Sequence, residues 1–200
     1  VLIDSTINNF NFKTSILFIL YLTSFCFAQM ESEDMPSRDK NWFISSSYGM
    51  QISGIKSEDF IQSNVTPAFT FSMGRWISSE IALQIGYKGF YFHTIADNDR
   101  HYYNFIYGDV LLNINKIIDG KKIIKRKGSF IFHPGAGYFY NSYYNRPNIC
   151  ANLGLLYSLS FKNNFDIIID VSAITAWDIY QGNEDILPSC NIGIIYMFRD

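Results

Sequence analysis

The sequence predicts an all-β fold, an eight-stranded antiparallel up-and-down barrel whose apolar face points outward. Three observations support this prediction. Apolar and polar residues alternate with a period of two over eight segments, as in strands that have one apolar face. After residue 28, no apolar block has the length of a membrane-spanning helix. Of the 200 residues, 48% are apolar and only 17% are charged, which excludes a disordered chain.

The first 28 residues have the pattern of a secretory signal peptide. Lys13 precedes an apolar run from Ile16 to Leu22, and the small residue Ala28 ends the segment. The run is shorter than the ~18 apolar residues of a spanning helix, so cleavage after Ala28 is favoured over a membrane anchor. Residues 29–40 are a polar tether, and residues 41–200 are the predicted barrel. The sequence therefore predicts an exported protein.

Each predicted strand has one apolar face and one small or polar face. In the second segment, the two faces carry Phe69, Phe71, Met73 and Ile77 against Ala68, Thr70, Ser72 and Gly74. The eight predicted strands cover residues 42–52, 67–77, 80–92, 102–114, 129–140, 149–160, 165–177 and 188–198. Each is close to the length of about 9–11 residues that a tilted membrane-spanning strand requires.

Alternation alone does not say which face is inside the barrel. A soluble ligand-binding barrel of the lipocalin kind buries its apolar face, whereas an outer-membrane barrel turns that face to lipid. An eight-stranded interior is too small for four or five bulky side chains from every strand. Aromatic residues towards the strand ends are typical of interfacial girdles: Trp42, Tyr48, Trp76, Tyr87, Tyr91, Tyr138, Tyr140, Trp177, Tyr196 and Phe198. The sequence therefore favours a transmembrane barrel.

The predicted connections differ between the two ends of the barrel. Long polar joins, expected outside the cell, cover residues 53–66, 93–101, 141–148 and 178–187. Ser78-Ser79 and residues 161–164 are expected to be tight periplasmic turns. Side chains enriched in recognition surfaces lie in the outer joins and are expected to contact a partner or ligand: Tyr143, Tyr144, Arg146 and Tyr180.

The join between the fourth and fifth strands is strongly basic. Asp119-Gly120 has the composition of a tight turn, so the join is expected to be a hairpin that extends into the periplasm. Its cations are expected to contact anionic lipid headgroups or to dock an acidic periplasmic partner, and charge alone does not choose between these roles. They are Lys116, Lys121, Lys122, Lys125, Arg126 and Lys127.

The chain resembles the small outer-membrane β-barrels of the OmpA/OmpX type. The resemblance rests on the eight strands, the signal ending Ala28-Gln29, the stretch Gly135-Ala136-Gly137-Tyr138 and the final strand that ends at Phe198. It covers roughly Asn41 to Phe198 and implies an integral outer-membrane protein surrounded by outer-membrane lipid. The functions of this family are diverse and include membrane stabilisation, adhesion, accessory roles beside transporters and a few lipid-modifying enzymes, so the resemblance does not choose among them. We expect a structural, scaffold or accessory role, with another envelope protein as candidate partner. The resemblance does not extend to the peptidoglycan-binding domain that follows the barrel in OmpA, so a wall-anchoring role is not expected.

Polar residues on the inner parity predict a hydrogen-bonded network in the lumen. Buried ions must pair or hydrogen-bond, so Lys88 is expected to pair with an Asp on a neighbouring strand. A closed polar core is favoured over a proton or ion path, because eight strands leave no aqueous channel. The predicted network comprises Gln84, Lys88, Asp109, Asn113, His133, Asn152, Asp166 and Asp170.

No enzymatic activity is expected. A lipid A-modifying enzyme, the alternative within this fold, needs a His, a Ser and a carboxylate near the outer leaflet. His93 and His101 lie near the outer rim with Asp97 and Asp99, but no His-x-Ser pair lies on a lipid-facing strand. No catalytic residue, metal site or cofactor is predicted. The net charge of −2 also gives no electrostatic reason to bind nucleic acid.

Overall fold

The computed structural model describes residues 41–53, 64–93, 100–119, 127–142, 146–162, 164–177 and 184–198. The predicted signal peptide (1–28) and tether (29–40) lie outside these residues. Eight antiparallel strands form a closed barrel in which each strand pairs with its sequence neighbours and the last strand pairs with the first. The predicted all-β up-and-down barrel is thereby confirmed. Within the described part of the chain, no helix is long and apolar enough to cross a membrane.

The strands are β1 (Trp42–Ile52), β2 (Val65–Trp76), β3 (Ile81–His93), β4 (Arg100–Asn113), β5 (Gly128–Asn141), β6 (Arg146–Lys162), β7 (Phe165–Trp177) and β8 (Glu184–Phe198). A short helix, α1 (Ile114–Asp119), follows β4. The turn end of the barrel is the end that carries α1 and residues 77–80, and the loop end is the opposite one. The strands β1 and β7 coincide with the predicted segments.

Several strands extend further towards the loop end than predicted. The strand β6 has 17 residues and β8 has 15, because backbone pairing continues up to Asn141↔Arg146 and Trp177↔Glu184. The predicted joins 141–148 and 178–187 are therefore too long, since only residues 142–145 and 178–183 separate these strands. Arg146, predicted in a loop, is the first residue of β6.

Alternation of side chains separates an inner polar and aromatic face from an outer apolar one. In β4 the residues alternate between exposed and buried along almost the whole strand. Large apolar side chains such as Ile85 (62% exposed) and Ile194 (52% exposed) lie on the outer face. On β2, Phe71 and Met73 are exposed and Thr70 and Ser72 are buried, as the sequence pattern predicted.

One of the predicted girdle aromatics points the other way. Trp76 is only 2% exposed and packs inside the barrel against Phe43, with 6.4 Å between the ring centroids. Its neighbour Arg75 takes the outer face instead, where its guanidinium lies 5.6 Å from the ring centroid of Trp42. The prediction for Trp76 was wrong because a shift of one residue along a strand moves a side chain to the opposite face.

Hydrogen bonds from small side chains shape the turn end. Ser78 Oγ accepts from the backbone N–H groups of Glu80 and Ile81, both at 3.2 Å, which supports the tight turn between β2 and β3. After β4, Asn113 Oδ1 accepts from the N–H of Lys116 at 3.2 Å and caps α1. The residues up to Asp119 are thus helical, and the predicted strand hairpin does not form there.

Candidate functional site

The barrel interior has three layers. The loop-end cluster is apolar and aromatic and comprises Phe92, Tyr103, Phe105, Tyr107, Phe139, Cys150, Ile174 and Leu187. The turn-end cluster comprises Phe43, Trp76, Ala82, Leu111, Ile131, Leu156, Ile168, Ile195 and Met197. Between them lies the central polar layer: Ser72, Gln84, Lys88, Asp109, His133, Asn152, Asp170, Ser172 and Ser189.

The imidazole of His133 bridges two carboxylates at the centre of the polar layer. Its Nδ1 lies 3.1 Å from Asp109 Oδ2 and its Nε2 lies 2.8 Å from Asp170 Oδ1. A neutral imidazole carries only one N–H, whereas the imidazolium donates from both nitrogens. The two carboxylates therefore match the protonated ring, and the bridge ties β5 to both β4 and β7.

Asp109 is the most heavily bonded acceptor of the layer. Besides His133, it accepts from Gln84 Nε2 at 3.1 Å and from Asn152 Nδ2 at 2.8 Å. These donors come from the strands β3, β5 and β6. Gly135 makes room for the arrangement, because a Cβ at that position would collide with the carboxylate of Asp109 and the carbonyl of Gly108.

Lys88 reaches across the barrel instead of pairing directly with a carboxylate. Its Nζ donates to Ser189 Oγ at 2.6 Å and to Ser172 Oγ at 3.2 Å. The Ser172 hydroxyl in turn donates to Asp170 Oδ2 at 3.1 Å. The predicted contact with an Asp on a neighbouring strand was wrong, because the long side chain crosses the lumen to β7 and β8.

The central polar layer is close to electrically neutral, and its charged members form hydrogen bonds mainly with other members of the layer. Lys88 and the His133 imidazolium supply two positive charges, and Asp109 and Asp170 supply two negative ones. Each of the four is at least nine-tenths buried. Buried charges are tolerated when they are paired and hydrogen-bonded, so the layer can bind the barrel walls together.

Six of the eight predicted network residues meet in this layer, and two do not. Asn113 is buried at the turn end, where it caps α1. Asp166 is also buried but accepts from Ser158 Oγ at 2.7 Å, and Ile168 of the turn-end cluster separates it from Asp170 along β7. The prediction that both belong to this network was wrong. The alternation along a strand determines which face a residue occupies, but it does not determine how far the residue lies from either end of the barrel.

Sequence reasoning missed the serines that complete the layer. Ser172 and Ser189 receive the ammonium of Lys88, and Ser72 Oγ donates to Gln84 Oε1 at 3.1 Å. All three are on the inner parity of their strands, which is the signal that could have identified them. The sequence also predicted an interior of small and polar side chains, whereas large rings fill both ends of it.

The hydroxyl and imidazole groups of the layer are not arranged as a nucleophile and its base. Ser172 donates to Asp170, and both nitrogens of His133 face carboxylates. A catalytic Ser would need an imidazole nitrogen as hydrogen-bond acceptor. His101, near the loop end, is fully buried and stacks on Phe92 at 5.7 Å, away from the outer face. Asp97 and Asp99 lie outside the described residues.

The other predicted contact residues are only partly within the described chain. Lys116 is exposed on α1, and Lys127 precedes β5. Outside the described residues lie Lys121, Lys122, Lys125, Arg126, Tyr143, Tyr144 and Tyr180. Cys150 faces the interior and Cys190 is exposed, and neither forms a disulfide bond.

Comparison with known proteins places the fold. No protein-family model and no curated protein sequence matches the chain. Among solved structures, the N-terminal β-barrel domain of Pseudomonas aeruginosa OprF is similar, with a TM-score of 0.51 and 12% identity over 80% of this chain and 98% of that one. Neisserial surface protein A is similar with a TM-score of 0.52 and 9% identity, over 78% of this chain and 97% of that one.

A third similar structure is the outer membrane protein OprG from Pseudomonas aeruginosa. Its TM-score is 0.51 and its identity 8%, over 84% of this chain and 100% of that one. Together with the closed barrel of consecutive antiparallel strands, these similarities confirm the resemblance that the sequence indicated. The fold of this chain is that of the small eight-stranded outer-membrane β-barrels.

Proposed function

We propose that the protein is an integral outer-membrane barrel with a non-enzymatic role, as a structural or accessory subunit that presents its loops to a partner or ligand. The observation that carries the proposal is the outer apolar face. Side chains such as Ile85, Ile106, Val171 and Ile192 are each more than half exposed, on β3, β4, β7 and β8 respectively. Soluble monomers rarely expose contiguous apolar surface on this scale, whereas lipid solvates it favourably.

The filled interior supports a closed barrel over a ligand-carrying one. A lipocalin-like protein keeps a cavity inside its apolar lumen. Here Tyr103 and Phe139 stack at 5.0 Å in the loop-end cluster, and Phe43 and Trp76 fill the turn end. The four central charges are hydrogen-bonded within the wall-to-wall network rather than directed at an open space.

The turn end supports contact with lipid headgroups. The helix α1 exposes Ile117 (53%) and Ile118 (76%) beside the exposed cation Lys116. An apolar and cationic surface of this kind suits the boundary between acyl chains and anionic headgroups. This surface supports headgroup contact as one role of the basic join, and docking of an acidic envelope protein is the alternative role for the same cations.

Membrane fractionation tests the location. The expected result is recovery of the full chain in the outer-membrane fraction, with a faster-migrating folded band on unheated gels that shifts after boiling. Recovery in the soluble periplasm would contradict the proposal and favour the ligand-binding alternative. Lipid A mass spectrometry with and without expression is expected to show identical species, and a new acylation state would instead indicate an enzyme.

Copurification in mild detergent tests the accessory role. A stable envelope partner is expected to remain with the wild-type chain. Replacing the six cations of the basic join by Gln separates the two roles of that join. Loss of the partner would indicate protein docking, whereas retention of the partner with weaker binding to anionic vesicles would indicate headgroup contact.

A further inference from the structure

A cavity lies on the outer face of the barrel, towards the loop end of β2, β3 and β4. Its volume is about 310 Å³, which is at the small end of the range for ligand sites. It is lined by Phe69, Tyr87, Gly89, Phe90, Tyr102, Tyr103 and Asn104. This lateral pocket is separate from the central polar layer, and it opens on the apolar face that we propose to be in lipid.

A strained residue shapes the lateral pocket. Phe90 has a φ of 150°, a conformation that residues other than glycine rarely adopt. Its neighbours of the same parity, Lys88 and Phe92, are buried inside the barrel, whereas Phe90 is 45% exposed. The break in alternation turns the ring of Phe90 outward. Strain of this kind persists where the surrounding structure requires it and is concentrated at functional positions.

One tyrosine ring that lines the pocket, that of Tyr87, lies across a glycine. A Cβ at Gly89 would collide with the hydroxyl and ring of Tyr87, so the ring can lie there only because residue 89 has no side chain. The Tyr87 hydroxyl donates to Asn104 Oδ1 at 2.7 Å. The apolar concavity thus carries one fixed polar pair, the Tyr87 hydroxyl and the Asn104 amide.

A cation stands beside the pocket on its loop-end side. The guanidinium of Arg100 lies 5.1 Å from the ring centroid of Tyr91. The ring of Tyr91 contacts both Phe90, at 5.9 Å, and Tyr102, at 5.8 Å, and these two residues line the pocket. The positive charge is therefore one ring away from the apolar concavity.

We propose that the lateral pocket binds one acyl chain of an anionic lipid, whose headgroup pairs with Arg100. This inference rests on the proposed membrane location. The apolar concavity takes the chain, the Asn104 amide and the Arg100 guanidinium take the polar end, and the order of these groups towards the loop end matches that of an amphiphile. Charge complementarity selects an anionic headgroup over a zwitterionic one.

Photolabelling in lipid tests the proposal. The full chain is reconstituted in phosphatidylcholine nanodiscs that also contain a photoreactive lipid probe. The probe carries a diazirine in its acyl chain and has either a phosphatidylglycerol or a phosphatidylcholine headgroup. Peptides are then mapped by mass spectrometry. The expected result is stronger labelling of β3 and β4 peptides by the phosphatidylglycerol probe, by about two- to fivefold, as one partly exposed ion pair would produce.

Two variants and a control sharpen the test. The variant Arg100→Gln is expected to abolish the headgroup preference, and Asn104→Trp is expected to reduce labelling of the pocket peptides by both probes. Arg75→Gln is the matched control, since Arg75 also lies over an aromatic ring but at the turn end. A faster-migrating folded band on unheated gels verifies that each variant still forms a barrel. A variant that has lost only lipid binding would keep this band.

Labelling spread evenly over the outer face, or a headgroup preference that survives Arg100→Gln, would overturn the proposal. So would pocket peptides that stay unlabelled by both probes, as expected if a second copy of the chain covered the site. A protein found in the soluble fraction fails the membrane proposal itself, which is a distinguishable result.

Discussion

His133 is the residue on which the central polar layer depends. Both of its ring nitrogens face carboxylates, Asp109 on one side and Asp170 on the other. Because the layer has no bulk solvent to replace a lost partner, the removal of one member leaves a buried charge without compensation. The energetic role of His133 is therefore coupled to its two partners and should not be read from a single substitution.

A double-mutant cycle measures that coupling. His133→Ala is expected to destabilise the barrel by about 3–5 kcal/mol, because it leaves two buried carboxylates without their cation. Combined with Asp170→Ala, it should show a coupling energy of about 0.5–3 kcal/mol in chemical unfolding experiments. The control cycle pairs His133→Ala with Asp166→Ala, since Asp166 bonds to Ser158 in another layer. Equal coupling in both cycles would contradict the described network.

The close approach of Gly154 to the bridge provides a second test. A Cβ at this position would collide with the imidazole of His133 and crowd Ser172. We expect Gly154→Ala to cost about 1–3 kcal/mol by overpacking. Gly108→Ala is the matched control on the outer face, where the added Cβ meets only Gln84 O at 3.8 Å, and a change within about 0.5 kcal/mol is expected. A larger loss in the control, measured by unfolding, would refute the packing argument.

At the scale of the element, the two faces of each strand are stabilised by different environments. The outer residues of β3, such as Ile81 and Ile85, are exposed, whereas Ala82 and Lys88 are buried. In the membrane location that we propose, the polar row is buried in the lumen and the apolar row is covered by lipid. The depth of an outer residue should then set the cost of charging it.

Two lysine substitutions on one strand test this dependence on depth. Ile85 lies in the middle of β3, and Ile81 is its first residue at the turn end. In a bilayer, Ile85→Lys is expected to cost about 2–4 kcal/mol, whereas Ile81→Lys should cost only about 0–1 kcal/mol. Folding into phosphatidylcholine vesicles at graded denaturant concentrations provides the measurement. Similar values for the two variants would argue against a lipid-facing band.

At the scale of the whole molecule, the three interior layers lie one after another between the two ends of the barrel. The loop-end and turn-end clusters are both apolar, so an ion that entered the central layer would have to pass one of them. Transfer of a charge into an apolar layer is costly. We therefore expect the interior of the barrel to be closed to ions.

Solute release from vesicles tests the seal. Vesicles that contain the folded barrel are expected to release a small anionic dye no faster than vesicles without protein. The single variant Phe139→Ala should leave release unchanged, because the turn-end cluster still closes the lumen. Rapid release by the wild-type chain would show an open path that the layered interior does not provide.

The sequence by itself determined the fold class, the outward direction of the apolar face and six residues of the central layer. These features depend on a period of two, which is local and survives in any antiparallel barrel. The helix α1, which Asn113 caps, was missed because six residues are too few to show a helical period. Trp76 was misassigned because strand-end position does not reveal parity.

Only the tertiary structure decided which inner residues meet. Lys88 contacts serines that are 84 and 101 residues away, and these contacts depend on the stagger of all eight strands. The same stagger moved Asn113 and Asp166 to the turn end and placed Arg100 beside the lateral pocket. Parity is a property of one strand, whereas depth in the barrel is a property of the closed sheet.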